Sequence, residues 1–181
     1  MAYRRGSDHL RKLSTRAKLT RFEFAKGVFM LRFLTVAFCL IFTIPVQAQA
    51  IIDCSSWQAS ARNIPEPWAD NTRTFANGNI RVALLDTIEP AAGAFYLMVI
   101  TPPYDELGSR ACWIVADQDG GIGFMGLEFR QLGASYDPAT GLTLRLPATL
   151  FAPSTGGFDP AILAVTINQA TGDVIPFFEI P

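Results

Sequence analysis

Three apolar runs follow one another between residues 79 and 117, NIRVALLDT, AFYLMVITPP and RACWIVAD, and each is closed by Pro, Gly, Asp or Ser. Short runs rich in Val, Ile, Phe, Tyr and Trp, bounded by turn residues, read as β-strands. In the first run Ile80, Val82 and Leu84 alternate with Arg81 and Ala83, so one face belongs to a core. The runs at 94–101 and 111–116 barely alternate. That is the pattern of strands covered on both faces at the centre of a sandwich.

The flanking segments agree with a β fold. Pro65 and Pro67 bar a long helix from the stretch after Asp53, leaving room for a short helical turn near 55–62. Asn77-Gly78 predicts a tight hairpin joining TRTFA to NIRVA, because both turn positions of such a hairpin need positive φ. GIGFMGLEFR reads as a strand whose glycines mark bulges or close backbone approach. SYDPATGLTLRLP and TINQATGDVIPFF both carry Ala-Thr-Gly at the tip, with Gly141 and Gly172 placed for a left-handed position. One turn chemistry used twice explains the likeness more simply than an internal repeat. The expected fold is all-β: a single-domain antiparallel β-sandwich or compact barrel of about eight or nine short strands over residues 51–181. An outer-membrane barrel needs strands of about 9–11 residues with apolar side chains alternating outward, and these runs are shorter and apolar on both faces.

Residues 1–50 differ in kind. A basic lead over 1–26 precedes the apolar run LRFLTVAFCLIFTIPV at 31–46, and Ala48-Gln49-Ala50 supplies small residues where signal peptidase needs them. These are the three parts of a secretory signal peptide, with the cut expected after Ala50. The apolar run has 16 residues and falls short of the roughly 20 that span a bilayer. Met30 offers a second start, which would make residues 1–29 an upstream extension. Arg4-Arg5 lies too far from the apolar run to be a twin-arginine signal, and neither Cys39 nor Cys54 follows the small residue expected of a lipid-modified cysteine. The expected location is therefore periplasmic or secreted, with no membrane span after cleavage.

The leader holds 9 of the 15 Lys and Arg and 2 of the 16 Asp and Glu, so residues 51–181 keep 6 basic and 14 acidic residues and a net charge of −8. Such a surface repels phosphate, which argues against nucleic acid or anionic lipid as a partner. Cys54 and Cys112 are the two cysteines left after the cut. In an oxidising compartment they are expected to pair, and no His or Lys remains to activate either as a thiolate.

The same two absences exclude most catalytic chemistry. Residues 51–181 contain no His and no Lys, which removes the Ser-His-Asp triad, the Cys-His pair, histidine metal sites and Schiff-base chemistry. Carboxylate chemistry survives, with Asp86, Glu89, Asp105, Glu106 and Glu128 as candidates, and no spacing singles out a pair. Gly121-Ile122-Gly123-Phe124-Met125-Gly126 spells the dinucleotide fingerprint, but LEFRQLGASYDP is too turn-rich for the helix that the motif must open. No cofactor is expected. Asp117 and Asp119 begin a D-x-D-G turn with two of the ligands of a calcium loop. Among the aromatics, Trp68, Tyr104 and Phe158 fall in loops, where a ring can stack on a sugar or receive a peptide.

The function expected from these features is a non-catalytic binding or envelope-accessory protein whose partner is a protein or glycan of the cell envelope. A carboxylate-based polysaccharide hydrolase and a calcium-binding module at Asp117 and Asp119 are the alternatives. The export reading has a direct check. Intact mass of the exported protein should correspond to residues 51–181, and a mass that retains the leader defeats it.

Overall fold

A computed structural model of the chain describes residues 50–152 and 154–179, which lie in one compact unit. The leader, apart from Ala50, lies outside the described residues. Ten strands form two antiparallel sheets: β1 (Ala50–Asp53), β2 (Thr72–Phe75), β3 (Ile80–Asp86), β4 (Phe95–Tyr104), β5 (Arg110–Ala116), β6 (Gly126–Leu127), β7 (Gly133–Asp137), β8 (Gly141–Ala152), β9 (Gly157–Ile167) and β10 (Val174–Glu179). The first sheet has the order β1-β5-β4-β3-β2. The second has the order β10-β9-β8-β6, and β7 also pairs with β8. The all-β reading holds, and the architecture is a sandwich of two sheets.

One apolar cluster joins the sheets. Ile80, Val82 and Leu84 of β3, Leu97 and Val99 of β4 and Val115 of β5 pack with Leu142, Leu144 and Leu146 of β8 and Leu163, Val165 and Ile167 of β9. The period-2 pattern of the strands selects these residues, every second position turning inward. The opposite face of the first sheet is apolar too. Leu85, Tyr96, Ile114 and Ala116 are buried there beneath Ile52, Cys54, Ala59 and Ile64. Residues 54–71 therefore form a cover, which explains why the β4 and β5 sequences do not alternate.

The cover is irregular, so its backbone needs partners other than a ladder. Two three-residue 3-10 turns, Trp57–Ala59 and Ala61–Asn63, are the only helical structure it has. The Asn63 side-chain amide donates to the carbonyls of Trp57 (3.2 Å) and Gln58 (2.9 Å). The Asn71 amide donates to Pro65 O at 2.9 Å, and Asn71 O accepts the Leu84 N–H at 2.9 Å, which fastens the cover to β3. At its other end Cys54 and Cys112 form a disulfide with Cα atoms 5.5 Å apart. The bridge continues the β1–β5 register, in which Asp53 faces Trp113. Cys112 is half-buried rather than deeply buried, because it lies near the open end of β5.

Three local expectations change. The turn around Asn77-Gly78 does make a hairpin, but Phe75 faces Ile80, so its loop has the four residues 76–79. Ala76, Asn77 and Gly78 all take positive φ (51°, 56° and 85°), one more left-handed residue than a two-residue turn requires. GIGFMGLEFR is mostly a crossover between the sheets, with a two-residue strand β6 and a 3-10 turn at Phe129–Gln131. The strand count exceeds eight or nine because β1 and β6 are too short to show in sequence and become strands only by pairing with β5 and β8. The twin hairpins match expectation. Asp137 and Asn168 each accept the N–H of the alanine two residues on (2.7 and 3.0 Å), and Gly141 and Gly172 take positive φ.

The cover and its staple set a stability test. The disulfide spans 58 residues, which on the chain-entropy account contributes about 4 kcal/mol. Cys54→Ser should lower the melting temperature by an amount equivalent to about 2–5 kcal/mol with the β circular-dichroism spectrum retained. Thermal denaturation of variant and parent, with and without reductant, checks this, and equal melting temperatures defeat it.

Candidate functional site

Of the three aromatics expected in loops only Trp68 lies in one, because pairing with neighbouring strands draws Tyr104 into β4 and Phe158 into β9, and the three do not form one site. Tyr104 ends β4 opposite Arg110, whose guanidinium carbon lies 5.2 Å from the ring centroid. Phe158 lies at the start of β9 and pairs with Phe151 across the second sheet. Each thus has an apolar or cationic neighbour from the adjoining strand. All three rings are about half exposed, but Trp68 belongs to the cover and lines an open groove of about 360 Å³ with Arg62, Ile64, Glu66, Asp86 and Ile88.

Hydrogen bonds hold both sides of this groove in place. Trp68 O accepts the Asn71 N–H at 3.1 Å and the Thr72 hydroxyl at 2.9 Å, which fixes the turn that presents the indole. From β3, the Asp86 carboxylate accepts the Ile88 N–H at 2.8 Å, while Thr87 N–H donates to Ala94 O at 3.0 Å and the Thr87 hydroxyl has Glu89 O (3.0 Å) and Ala94 O (3.1 Å) as acceptors within reach. These bonds keep Ile88 at φ 69° with its side chain 77% exposed. Positive φ in a β-branched residue is an outlier costing about 1–3 kcal/mol. An apolar side chain held in solvent in this way adds nothing to the core, and it stands beside Trp68 on the groove wall. Arg62, Glu66 and Asp86 add one cation and two carboxylates around the apolar pair.

The candidate acids separate by topology. Asp86 and Glu89 stand at the β3 exit, whereas Asp105 and Glu106 follow the far end of β4. The ten residues of β4 lie between, about 30 Å at 3.3 Å per residue. Two carboxylates that act on one glycosidic bond stand about 5–9.5 Å apart, so acids from opposite ends cannot share a substrate. Several already serve their own turns: Glu89 accepts the Ala91 N–H, and Asp105 accepts those of Leu107 and Ser109. Glu128 is exposed and caps the 3-10 turn at Phe129–Gln131 through its carbonyl.

The Asp117–Asp119 turn divides its two carboxylates between environments. Asp119 is exposed, but Asp117 is only 6% exposed, and its one side-chain partner is the Gln118 amide at 3.4 Å. Burial pushes the Asp117 carboxyl above its ordinary range, and the Gln118 contact opposes the shift. No group of three or more His, Cys, Asp or Glu side chains gathers among the described residues. The glycine fingerprint has a packing explanation. A Cβ on Gly123 would stand 2.5 Å from Phe95 O and 2.6 Å from Gly93 O, so only glycine fits where the crossover presses on β4. No helix opens after Gly126, which leads into β6 and a three-residue 3-10 turn.

No family model, no curated protein and no solved structure matches this chain. No helix among the described residues is long and apolar enough to cross a membrane. The sequence singles out Trp68 by its loop position but not Ile88 and Arg62, which line the same groove. The available signal was Asp86 two residues before Ile88, the spacing at which a carboxylate takes a backbone N–H and bends the chain.

Calorimetric titration with calcium tests the Asp117–Asp119 turn. Two carboxylates, one of them turned out of solvent, should give no binding below millimolar calcium. A micromolar isotherm abolished by Asp119→Asn would contradict that expectation.

Proposed function

We propose that this protein is an exported, non-catalytic β-sandwich domain that binds a glycan of the cell envelope in the groove beside Trp68. The observation that carries the reading is the exposed apolar pair, Trp68 and Ile88, in one groove with Arg62, Glu66 and Asp86. A sugar ring offers an apolar C–H face and a rim of hydroxyls. Indole and aliphatic side chains suit the face, and charged side chains of both signs supply donors and acceptors for the rim. The mixed charge of the groove favours a neutral, polyhydroxylated ligand over a strongly charged one.

Export is part of the proposal, supported by the leader sequence and compatible with the Cys54–Cys112 disulfide. The non-catalytic reading draws on the absence of His and Lys after residue 50 and on the separation of the candidate acids.

Titration of the exported protein with a panel of cell-wall oligosaccharides, followed by tryptophan fluorescence, tests the groove. Trp68→Ala should weaken binding at least about tenfold, equivalent to about 1.4 kcal/mol, with an unchanged melting temperature because the indole is exposed. Retention of an envelope protein through the same groove, with no response to any glycan, would replace the ligand class. Turnover of a glycan that depends on Asp86 or Glu66 would replace the non-catalytic reading.

A further inference from the structure

A second groove, of about 400 Å³, lies at the beginning of β1 and is lined by Ala50, Ile51, Ile52, Gln58, Asp119 and Gly121. The polar side chains that line it are the Gln58 amide and the Asp119 carboxylate. Gln58 is only 8% exposed, and its Oε1 has no donor. Asp119 has no salt bridge, the ion pairs among the described residues being Arg130–Asp70 and Arg145–Glu179. Asp117 stands one position beyond Ala116, the partner of Ala50, and burial pushes its carboxyl above the ordinary range against the opposing Gln118 contact. A buried amide oxygen and a carboxylate at one edge, with a second carboxylate adjoining, call for a compact donor carrying several N–H bonds and a positive charge. A primary ammonium has three such bonds and no acceptor. None of the six arginines after residue 50 lines the groove.

We propose that this groove is an ammonium site and that its ligand is the chain's own α-amino group at Ile51. The inference rests on the export reading, in which signal peptidase hydrolyses the Ala50–Ile51 bond. Water adds across that bond, the carboxylate on Ala50 departs with the leader, and the nitrogen of Ile51 becomes an ammonium. Ile51 keeps its place opposite Val115, so the new charge appears at the groove wall. It donates to the Asp119 carboxylate and to Gln58 Oε1, and it lies in the field of Asp117. A single amide N–H becomes three donors and a positive charge beside these acceptors, and the same cut removes Ala50 from the groove wall and from its pairing with Ala116. The remaining acid of β1, Asp53, lies at the opposite end of the strand and is exposed. The 3-10 turn that carries Gln58 contains no titratable side chain.

The composition makes the test selective. No lysine follows residue 50, so the exported protein has one primary amine. Intact mass of protein recovered from the exported fraction first reports the cut, and the pH dependence of its acylation by a water-soluble amine reagent then reports the site. The reaction midpoint should lie about one unit above the ordinary α-amino range of about 7.7–8.0, which is about sevenfold slower acylation at pH 7.5. Asp119→Asn, an exposed turn position, should return the midpoint to that range, and Gln58→Ala should move it part of the way. A mass beginning at Ile51 with an ordinary midpoint, or a midpoint unmoved by Asp119→Asn, overturns the site alone. A mass that retains the leader overturns the export reading and the site together.

Discussion

The first sheet must be buried twice, and the rest of the structure follows from that requirement. Its inner face packs on the second sheet, but Leu85, Tyr96 and Ile114 on the outer face are as apolar and as deeply buried. A fully buried Leu or Ile is worth about 1.5–3 kcal/mol, and a small domain has about 5–15 kcal/mol of net stability, so exposing this face would consume much of the total. The cover over residues 54–71 is thus as necessary as the second sheet. It has no repetitive structure to hold it, and the disulfide at one end and the Asn71–Leu84 bond at the other take that part.

That arrangement also decides where grooves arise. Both grooves border the cover: one where residues 61–68 meet the exit of β3, the other where Gln58 meets β1 and the 117–121 turn. Irregular segments laid over a sheet leave gaps at their margins, because side chains without a regular repeat do not interdigitate with the pleat. Side chains in those gaps are positioned by rigid neighbours yet reach solvent, the usual condition for binding residues carried on loops. The acids show the converse effect. An antiparallel meander sends successive loops to opposite ends, so carboxylates close in sequence, such as Glu89 and Asp105, end up a strand length apart.

Several features were legible before any coordinates because they depend only on local chemistry. Alternation at 80–84 identified the inward side chains, and the even hydrophobicity of 94–101 and 111–116 identified strands with two covered faces. Ala-Thr-Gly marked both hairpin tips through its glycine, and the structure added the Asp137 and Asn168 side chains as acceptors for each turn. Trp68 stood out as an aromatic in a proline-rich loop. Tyr104 and Phe158 met the same criterion, yet adjoining strands supplied each with a neighbour, Arg110 and Phe151, that no local reading reveals.

By itself the sequence determined the class of fold and pointed to the cysteine pair, because periodicity and residue inventory are properties of the chain alone. Tertiary structure decided what covers the second face of the first sheet, since the cover's partners lie across the sheet rather than along the chain. It also decided that β1 and β6 are strands, because segments of four and two residues gain that state only from the ladders they join. It turned Ile88 outward at positive φ against its intrinsic preference, through bonds to Asp86 and Ala94 that hold the loop around it. And it gathered Ile51, Gln58 and Asp119 around one groove from separate stretches of chain, which only the pairing of β1 with β5 could bring together.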